Sequence, residues 1–439
     1  MNKIAKLSIT RGFQIFQIIR FTTLLLTGIL LSKSRISIQE IGIYEGLIFI
    51  SGAVSFFWVN GILNGVLSQY KKEEENKNVY FFNTVLLLVI MSVVLIFFML
   101  IFSQTVELFL PSTSSRIYGL MLIYIFLNNP TFLIEHIFLL KERVAGLLVY
   151  GTIHLFAYLA AVIVPIWMGW EIEFVFYGLI LLSIFKNIYL GYLIFQENEF
   201  KIKKKVIVDL LSYSAPLIVG FALAGSAEYI DGLLVSSHFG SDQFAIFRYG
   251  ARELPLAVLL SSSLSSSFIP RLSQNNLIPE LSNLKEESLK LMNLLFPVTI
   301  LLVFLSSWIY PILFRAEFIA SAPIFNTYLL LLVSRVLFPQ TLVLAAGKTK
   351  VIMQIAVIEL IINFTCSYLL MIKYGLIGIA IGTLIAFYME KFLLILFLKS
   401  CLKIHAFEYI PIRRWLIYSF ILFLVYFLTN SELTTMIKF

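Results

Sequence analysis

A chain of 439 residues that is 60% hydrophobic and 13% charged, with a mean hydropathy of +0.93, lies far outside the composition of soluble domains. That excludes a water-soluble enzyme or binding module and describes an all-α polytopic membrane protein. The net charge of +8 falls mainly in loops, and no basic stripe interleaved with aromatics suggests a nucleic acid partner.

Apolar runs of spanning length predict membrane helices near 10–31, 41–69, 79–102, 117–140, 147–169, 174–195, 214–237, 243–270, 289–313, 323–346, 351–372 and 375–400. A thirteenth run, Trp415–Thr429, is short enough to be either a thinned span or an interfacial helix. The first run is long, contains Arg20 and has no small-residue cleavage site, so it is expected to stay in place as span one. Lysines and arginines concentrate in alternate loops: Lys71, Lys72 and Lys77, then Lys201, Lys203, Lys204 and Lys205, then Lys403, Arg413 and Arg414. By the positive-inside rule these loops and the N-terminus are cytoplasmic.

Two internal echoes suggest duplication. GIYEG at Gly42–Gly46 opens the second span as AIFRYG at Ala245–Gly250 opens the eighth, and KERVAG after span four is matched by GKTK after span ten. The expected organisation is two six-helix lobes around a central cavity, 1–195 (spans 1–6) and 214–400 (spans 7–12). A cytoplasmic linker, 196–213, joins them, and a tail, 401–439, carries the short apolar segment.

The most charged intramembrane stretch is Ser212–Arg271, read as two helices joined by a tight turn near Gly240. Asp231 and Arg248 lie at similar distances on either side of that turn, as do Glu228 and Arg252, so antiparallel helices bring opposite charges to the same depth. A charge at bilayer depth costs at least about 2.5–3.5 kcal/mol unless it is paired or hydrated, which marks a polar cavity. Asp231, Glu228 and Glu253 read either as structural charge pairs or as functional carboxylates, since both roles need the same buried acid. Arg248 and Arg252 read as substrate or gate residues. Pro255, just beyond, predicts a kink or hinge in span eight.

Elsewhere, Lys186 is placed either in the cavity or snorkelling to the cytoplasmic interface. Arg335 and Glu359 are expected to pair between spans ten and eleven. Glu135, next to His136, is expected to be solvated near the inner face, and Glu45 to lie near the outer interface. Gly347–Thr349 lacks the upstream glycine of a phosphate loop, and GIYEG, GILNG and GIAIG read as helix-packing patterns. Ser261–Ser267 fits either an aqueous path or close packing. Cys366 and Cys401 are too far apart for a disulfide in this topology. The four histidines, His136, His154, His238 and His405, show no metal-ligand spacing. No metal or cofactor is expected.

The run PLIVGFALAGSAEYIDGLLVSSHFGSDQFAIFRYGARELPLAVLLSSSLSSSFIPRLS resembles the corresponding helix pair of bacterial polysaccharide flippases. These form the O-antigen and capsule group of the multidrug, oligosaccharidyl-lipid and polysaccharide exporter superfamily. LAAGKTKVIMQIAVIELIINFTCSYLLMIKYGLIGIAIGTLIAF is similar to the family's spans ten to twelve. The resemblance implies a transporter, not an enzyme, in the bacterial cytoplasmic membrane. It implies export of undecaprenyl-diphosphate-linked oligosaccharide from the inner to the outer leaflet by alternating access, for surface polysaccharide biosynthesis, with other polysaccharide-assembly proteins as partners. Arginine suits such cargo because its guanidinium binds phosphate oxygens as a bidentate fork. Arg20 is then the first-lobe candidate for substrate binding, by position, and Lys186 is a further candidate. Because exporters of this superfamily can use H+ or Na+ gradients, the resemblance also makes Asp231, with Glu228 and Glu253, a candidate for ion coupling. Arg248 and Arg252 are the second-lobe candidates.

Three rivals are weighed against this. A glycan polymerase or ligase would carry a large outer loop, and the longest here is short, with no paired carboxylates. A multidrug cation exporter would favour an acidic cavity over an arginine-rich hairpin. A flippase for lipid II or a teichoic-acid precursor would share the diphosphate chemistry.

Overall fold

Hydrocarbon offers no partner for backbone N–H and C=O groups, so a chain of this composition satisfies them within helices. The computed structural model describes residues 9–70, 75–110, 113–273 and 277–430, without the side chains of residues 9, 10, 197, 224, 227, 228, 277 and 278. Among the described residues there is no strand. The first half contains α1 (Ile9–Ser32), α2 (Ile38–Gln69), α3 (Lys77–Ile101), α4 (Ser103–Glu107), α5 (Ser115–Asn128), α6 (Leu133–Leu140), α7 (Val144–Trp167) and α8 (Glu173–Glu197). Then come α9 (Lys204–His238), α10 (Ser241–Gly250), α11 (Pro255–Leu272), α12 (Leu277–Leu313) and α13 (Ala322–Leu329). The last are α14 (Leu332–Arg335), α15 (Pro339–Ala345), α16 (Thr349–Phe397), α17 (Ala406–Tyr409) and α18 (Ile412–Thr429). Among these residues, eleven helical segments are long and apolar enough to cross a membrane.

Two compact units result, one of Met1–Gly225 with Ser236–Ala245, the other of Ser226–Val235 with Ile246–Phe439. In the first, α1 packs along α7 and α5 along α8. Its core joins Ile62 and Val66 of α2, Phe81 and Leu88 of α3, Leu133 of α6 and Leu147 of α7, all nearly inaccessible. Phe97, Phe98 and Leu100 of α3 and Val149, Ile153 and Phe156 of α7 point outward, as lipid-facing side chains must. Ser37 and Glu40 form a reciprocal capping box that starts α2, with Ser37 N–H to Glu40 Oε2 at 2.8 Å.

Of the segment expected as a linker, 196–213, the part from Asn198 to Lys203 is bound to the start of α3, and from Lys204 on the chain is already α9. Asn198 Oδ1 accepts from the backbone N–H of Phe81 at 2.7 Å and of Phe82 at 3.2 Å, and Asn83 donates to the Lys201 carbonyl at 3.0 Å. Lys203 N–H donates to Asn83 Oδ1 at 2.8 Å, and its ammonium to Asn76 at 2.9 Å. Side-chain amides thus replace the partners that an irregular segment lacks.

Three expected spans are broken. Pro130 ends α5, a 3₁₀ turn covers Asn129–Phe132, and α6 follows. The carbonyls freed there are recovered by side chains, Asn187 donating to Leu127 O at 2.6 Å and Thr131 to Asn128 O at 2.6 Å. The span expected over 243–270 is interrupted at 251–254, and Pro255 is not a kink within a helix but the first residue of α11, where its missing N–H costs nothing. The span expected over 323–346 is three short helices. Their loose carbonyls at Leu330, Val333 and Val336 accept from Tyr388, Trp415 and Ser288 at 2.8, 2.9 and 3.0 Å.

α16 is two arms joined at Gly375, whose φ of 59° and ψ of −138° only glycine adopts without strain. The arms touch closely, since a Cβ on Gly378 would meet the Leu370 carbonyl and one on Gly382 the Ser367 backbone. The thirteenth segment is an 18-residue helix, α18, about 27 Å long at 1.5 Å per residue. It lies along α12 and is fixed to α13 by Tyr426, whose hydroxyl is 2.9 Å from that of Thr327.

Candidate functional site

In the first unit the break between α5 and α6 assembles a charged site. Pro130 halts the helix, and the 3₁₀ turn directs Phe132 toward two basic side chains: Arg20 of α1 and Lys186 of α8 each lie 5.8 Å from the centre of its ring. Glu135 sits one turn further on, in the first turn of α6, buried, with Oε1 3.6 Å from Arg20 NH1. Arg20 is the open member: half of its side chain is exposed, against 9% for Glu135. Lys186 donates to Asn128 Oδ1 at 2.8 Å and is 9% exposed, so it is held inside the bundle and does not snorkel to the interface. Glu135, expected to be solvated, is instead the buried counter-charge of Arg20. His136 is fixed by a 2.9 Å contact from Nδ1 to the Phe132 carbonyl.

Two cations and one carboxylate leave this cluster positive, with a planar guanidinium facing outward. That arrangement can take an anion that brings several acceptor oxygens.

In the second unit the centre is Asp231 of α9, 3% exposed. Its Oδ2 accepts from Tyr328 of α13 and from Thr383 of α16, both at 2.5 Å. Its Oδ1 is buried with no hydrogen-bond donor among the described residues, and so is Oδ1 of Asn363, whose amide nitrogen lies 3.4 Å from Thr383 Oγ1. Ser367, on the same arm as Asn363, donates to the Ile379 carbonyl at 3.1 Å. A buried carboxylate oxygen without a donor, with a second such acceptor on Asn363 linked to it through Thr383, is an arrangement that a proton or a small hard cation with oxygen ligands relieves.

Of the depth-matched pairs read from the hairpin, the one between Asp231 and Arg248 is replaced by other partners. Asp231 bonds to hydroxyls of α13 and α16, not to Arg248. The side chain of Glu228 lies outside the described residues. Arg252 and Glu253 are not on a helix but in the break after α10. The Arg252 guanidinium lies 5.2 Å above the Tyr249 ring, with Nε 3.3 Å from the Arg248 carbonyl. Glu253 forms a fork with Arg335 of α14, Nε to Oε2 at 2.9 Å and NH2 to Oε1 at 2.6 Å. The expected pair of Arg335 with Glu359 therefore does not form, and Glu359 Oε1 is buried with no hydrogen-bond partner among the described residues. Glu45 is buried within α2.

Sequence reading missed Phe132, Asn128, Tyr328, Thr383 and Asn363. For the first two a signal existed in Asn128–Asn129–Pro130, a polar break within an apolar run. The other three look like ordinary span residues, and only the fold brings them to Asp231.

Comparison with known proteins places this architecture. Over 196 residues the chain is 26% identical to the putative O-antigen transporter of Shigella flexneri, covering 43% of this chain and 46% of that protein, so the chain matches less than half the length of that relative. The structure of the lipid II flippase MurJ in an inward closed conformation superposes with a TM-score of 0.72 at 18% identity, covering 95% of this chain and 98% of that one. An outward-facing multidrug resistance MATE family transporter of the MOP superfamily superposes at 0.56 and 12% identity, over 89% and 93%. At these identities the likenesses show the fold. The family model described as lipid II flippase MurJ matches residues 59–437, and the chain belongs to this family of transporters.

Proposed function

We propose that the protein flips an undecaprenyl-diphosphate-linked oligosaccharide from the cytoplasmic to the outer leaflet of the bacterial cytoplasmic membrane, serving surface polysaccharide assembly together with other proteins of that process. The observation that carries this reading is the cluster of Arg20 and Lys186 at the Phe132 ring, basic in balance and open at Arg20. Charge is expensive within a bilayer and persists where it binds charge. A diphosphate supplies the two-pronged oxygen surface that a guanidinium recognises.

In this reading the glycan crosses by alternating access of two lobes, 1–195 and 214–400, joined by 196–213, with the N-terminus in the cytoplasm. Arg248 and Arg252 are second-lobe contacts for the diphosphate. Glu253 holds its own segment through Arg335, and Glu228 remains a candidate counter-charge. The Asp231 cluster binds the driving ion, H+ or Na+, because its orphaned oxygens gain a partner when the ion arrives.

The similarity to an O-antigen transporter supports the oligosaccharide as cargo. The family model and the fold support a second reading, lipid II, which carries the same diphosphate. Complementation separates them. Wild type, Arg20→Ala and Lys186→Met are expressed at matched levels in a strain lacking its polysaccharide flippase, scored by surface glycan, and in a strain depleted of its lipid II flippase, scored by growth. Rescue of surface glycan by wild type and its loss in Arg20→Ala is the expected outcome. Rescue of growth alone moves the cargo to lipid II, and full activity of both variants removes the cluster from the substrate path.

A further inference from the structure

The ion pair between Arg20 and Glu135 is loose. At 3.6 Å it is about 0.8 Å longer than a charge-assisted hydrogen bond, so the guanidinium is held by charge alone, without the fork that Glu253 and Arg335 make at 2.6 and 2.9 Å. The partners are also unequal, Glu135 being buried and Arg20 half exposed. Lys186 lies 5.8 Å from the centre of the same Phe132 ring as Arg20, a ring three residues before Glu135, and is presently bonded to a neutral amide, Asn128. A carboxylate with one loose cationic partner and a second basic group at the same aromatic ring has somewhere to go when the first is taken.

We infer that Glu135 is an internal counter-anion that competes with the transported diphosphate for Arg20, weakening binding so that cargo is released. When diphosphate oxygens engage the exposed guanidinium, Glu135 gives up Arg20 and is carried by Lys186. When the cargo leaves, Glu135 returns and resets the site. No bond is made or broken, and the charge of the protein is unchanged throughout. The inference rests on the diphosphate reading of Arg20. It adds a residue whose role is opposite in sign: Arg20 attracts, Glu135 repels. A transporter gains nothing from tight binding in the ground state, since binding energy shared by every step only delays release.

The test is direct binding of farnesyl diphosphate to the full chain in detergent, for wild type, Glu135→Gln, Arg20→Ala and the double variant, together with surface-glycan complementation. Glu135→Gln is expected to bind about 10-fold more tightly, as loss of a buried competing charge implies, and yet to transport less at matched membrane levels. In the Arg20→Ala background the gain is expected to vanish, since the two residues act on one contact. A structural role for Glu135 would instead weaken binding. If Arg20→Ala binds as well as wild type, or wild type does not bind, the diphosphate reading falls and takes the inference with it. If Arg20→Ala loses binding while Glu135→Gln binds no better than wild type, the diphosphate reading stands and the inference is overturned. Should Glu135→Gln fail to fold by gel filtration, Glu135→Asp carries the test: its carboxylate is withdrawn by one methylene, and a smaller gain in the same direction is expected, with no gain overturning the inference.

Discussion

Arg335 and Glu253 are joined by two hydrogen bonds that hold the non-helical segment 251–254 against α14, with the Arg335 guanidinium also lying 5.1 Å from the Phe387 ring. The side chains are 29% and 25% exposed, so the pair is partly screened. Arg335→Ala leaves Glu253 without its fork and is expected to cost about 1–2 kcal/mol, between exposed and fully buried pairs. Thermal unfolding in detergent reads this, and the double variant Arg335→Ala/Glu253→Ala is expected to lose less than the two singles added together. An unchanged unfolding temperature in Arg335→Ala would contradict a structural role.

Asp231 separates a binding role from a packing role. If it holds the driving ion, then either Na+, compared with choline at constant ionic strength, or acidification stabilises wild type, by about 2.7 kcal/mol at a hundred times the dissociation constant. Asp231→Asn, which keeps an acceptor for Tyr328 and Thr383, is expected to lose that response and most of its transport. An equal response to Na+ and to pH in both proteins would leave Asp231 a packing residue only.

Gly375→Ala is expected to destabilise the α16 hairpin by about 1–3 kcal/mol, the cost of holding a side chain at φ 59° and ψ −138°. Nothing lies within reach of a new Cβ there, so the loss is one of backbone conformation, not of collision. Gly375→Ala with wild-type thermal stability would show that the turn relaxes elsewhere.

Asn198→Ala removes the acceptor for the N–H groups of Phe81 and Phe82 and is expected to cost about 1 kcal/mol. The visible result is local: trypsin cuts sooner at Lys201 and Lys203. Unchanged cleavage would mean that the Asn83 and Lys203 bonds hold the segment by themselves.

Membrane helices are the most legible part of this chain, because length and hydropathy are set by the bilayer and not by neighbours. Hence α1, α2, α3, α7 and α8 lie where apolar runs place them. The breaks were legible only where proline announced them. Pro255 marked a disturbance, but that it starts a new helix after a non-helical segment, which Glu253 ties to Arg335, is visible only in the fold. Nothing local in Leu330–Val336 announces an interruption, since its stray carbonyls are answered by Tyr388, Trp415 and Ser288 from distant parts of the chain. The charges followed the same division. Arg20 and Asp231 stood out as ionisable residues at lipid depth, whereas their partners, Glu135 on one side and Tyr328 and Thr383 on the other, were fixed by packing. The symmetric count of residues about Gly240 assumed two unbroken helices, and one of them ends at Gly250.

The turn at Gly375 also governs what kind of change the second unit can absorb. Thr383 reaches Asp231 because eight positions of unbroken helix separate it from the turn, and Asn363 and Ser367 are phased by the other arm. One residue inserted between Gly375 and Thr383 would rotate the threonine by about 100° and shift it by about 1.5 Å, carrying its hydroxyl away from the carboxylate and moving Gly382 off Ser367. Substitution along the outward faces of either arm leaves this phase untouched. The hairpin therefore behaves as a ruler, permissive in what it is made of and strict in how many residues it contains.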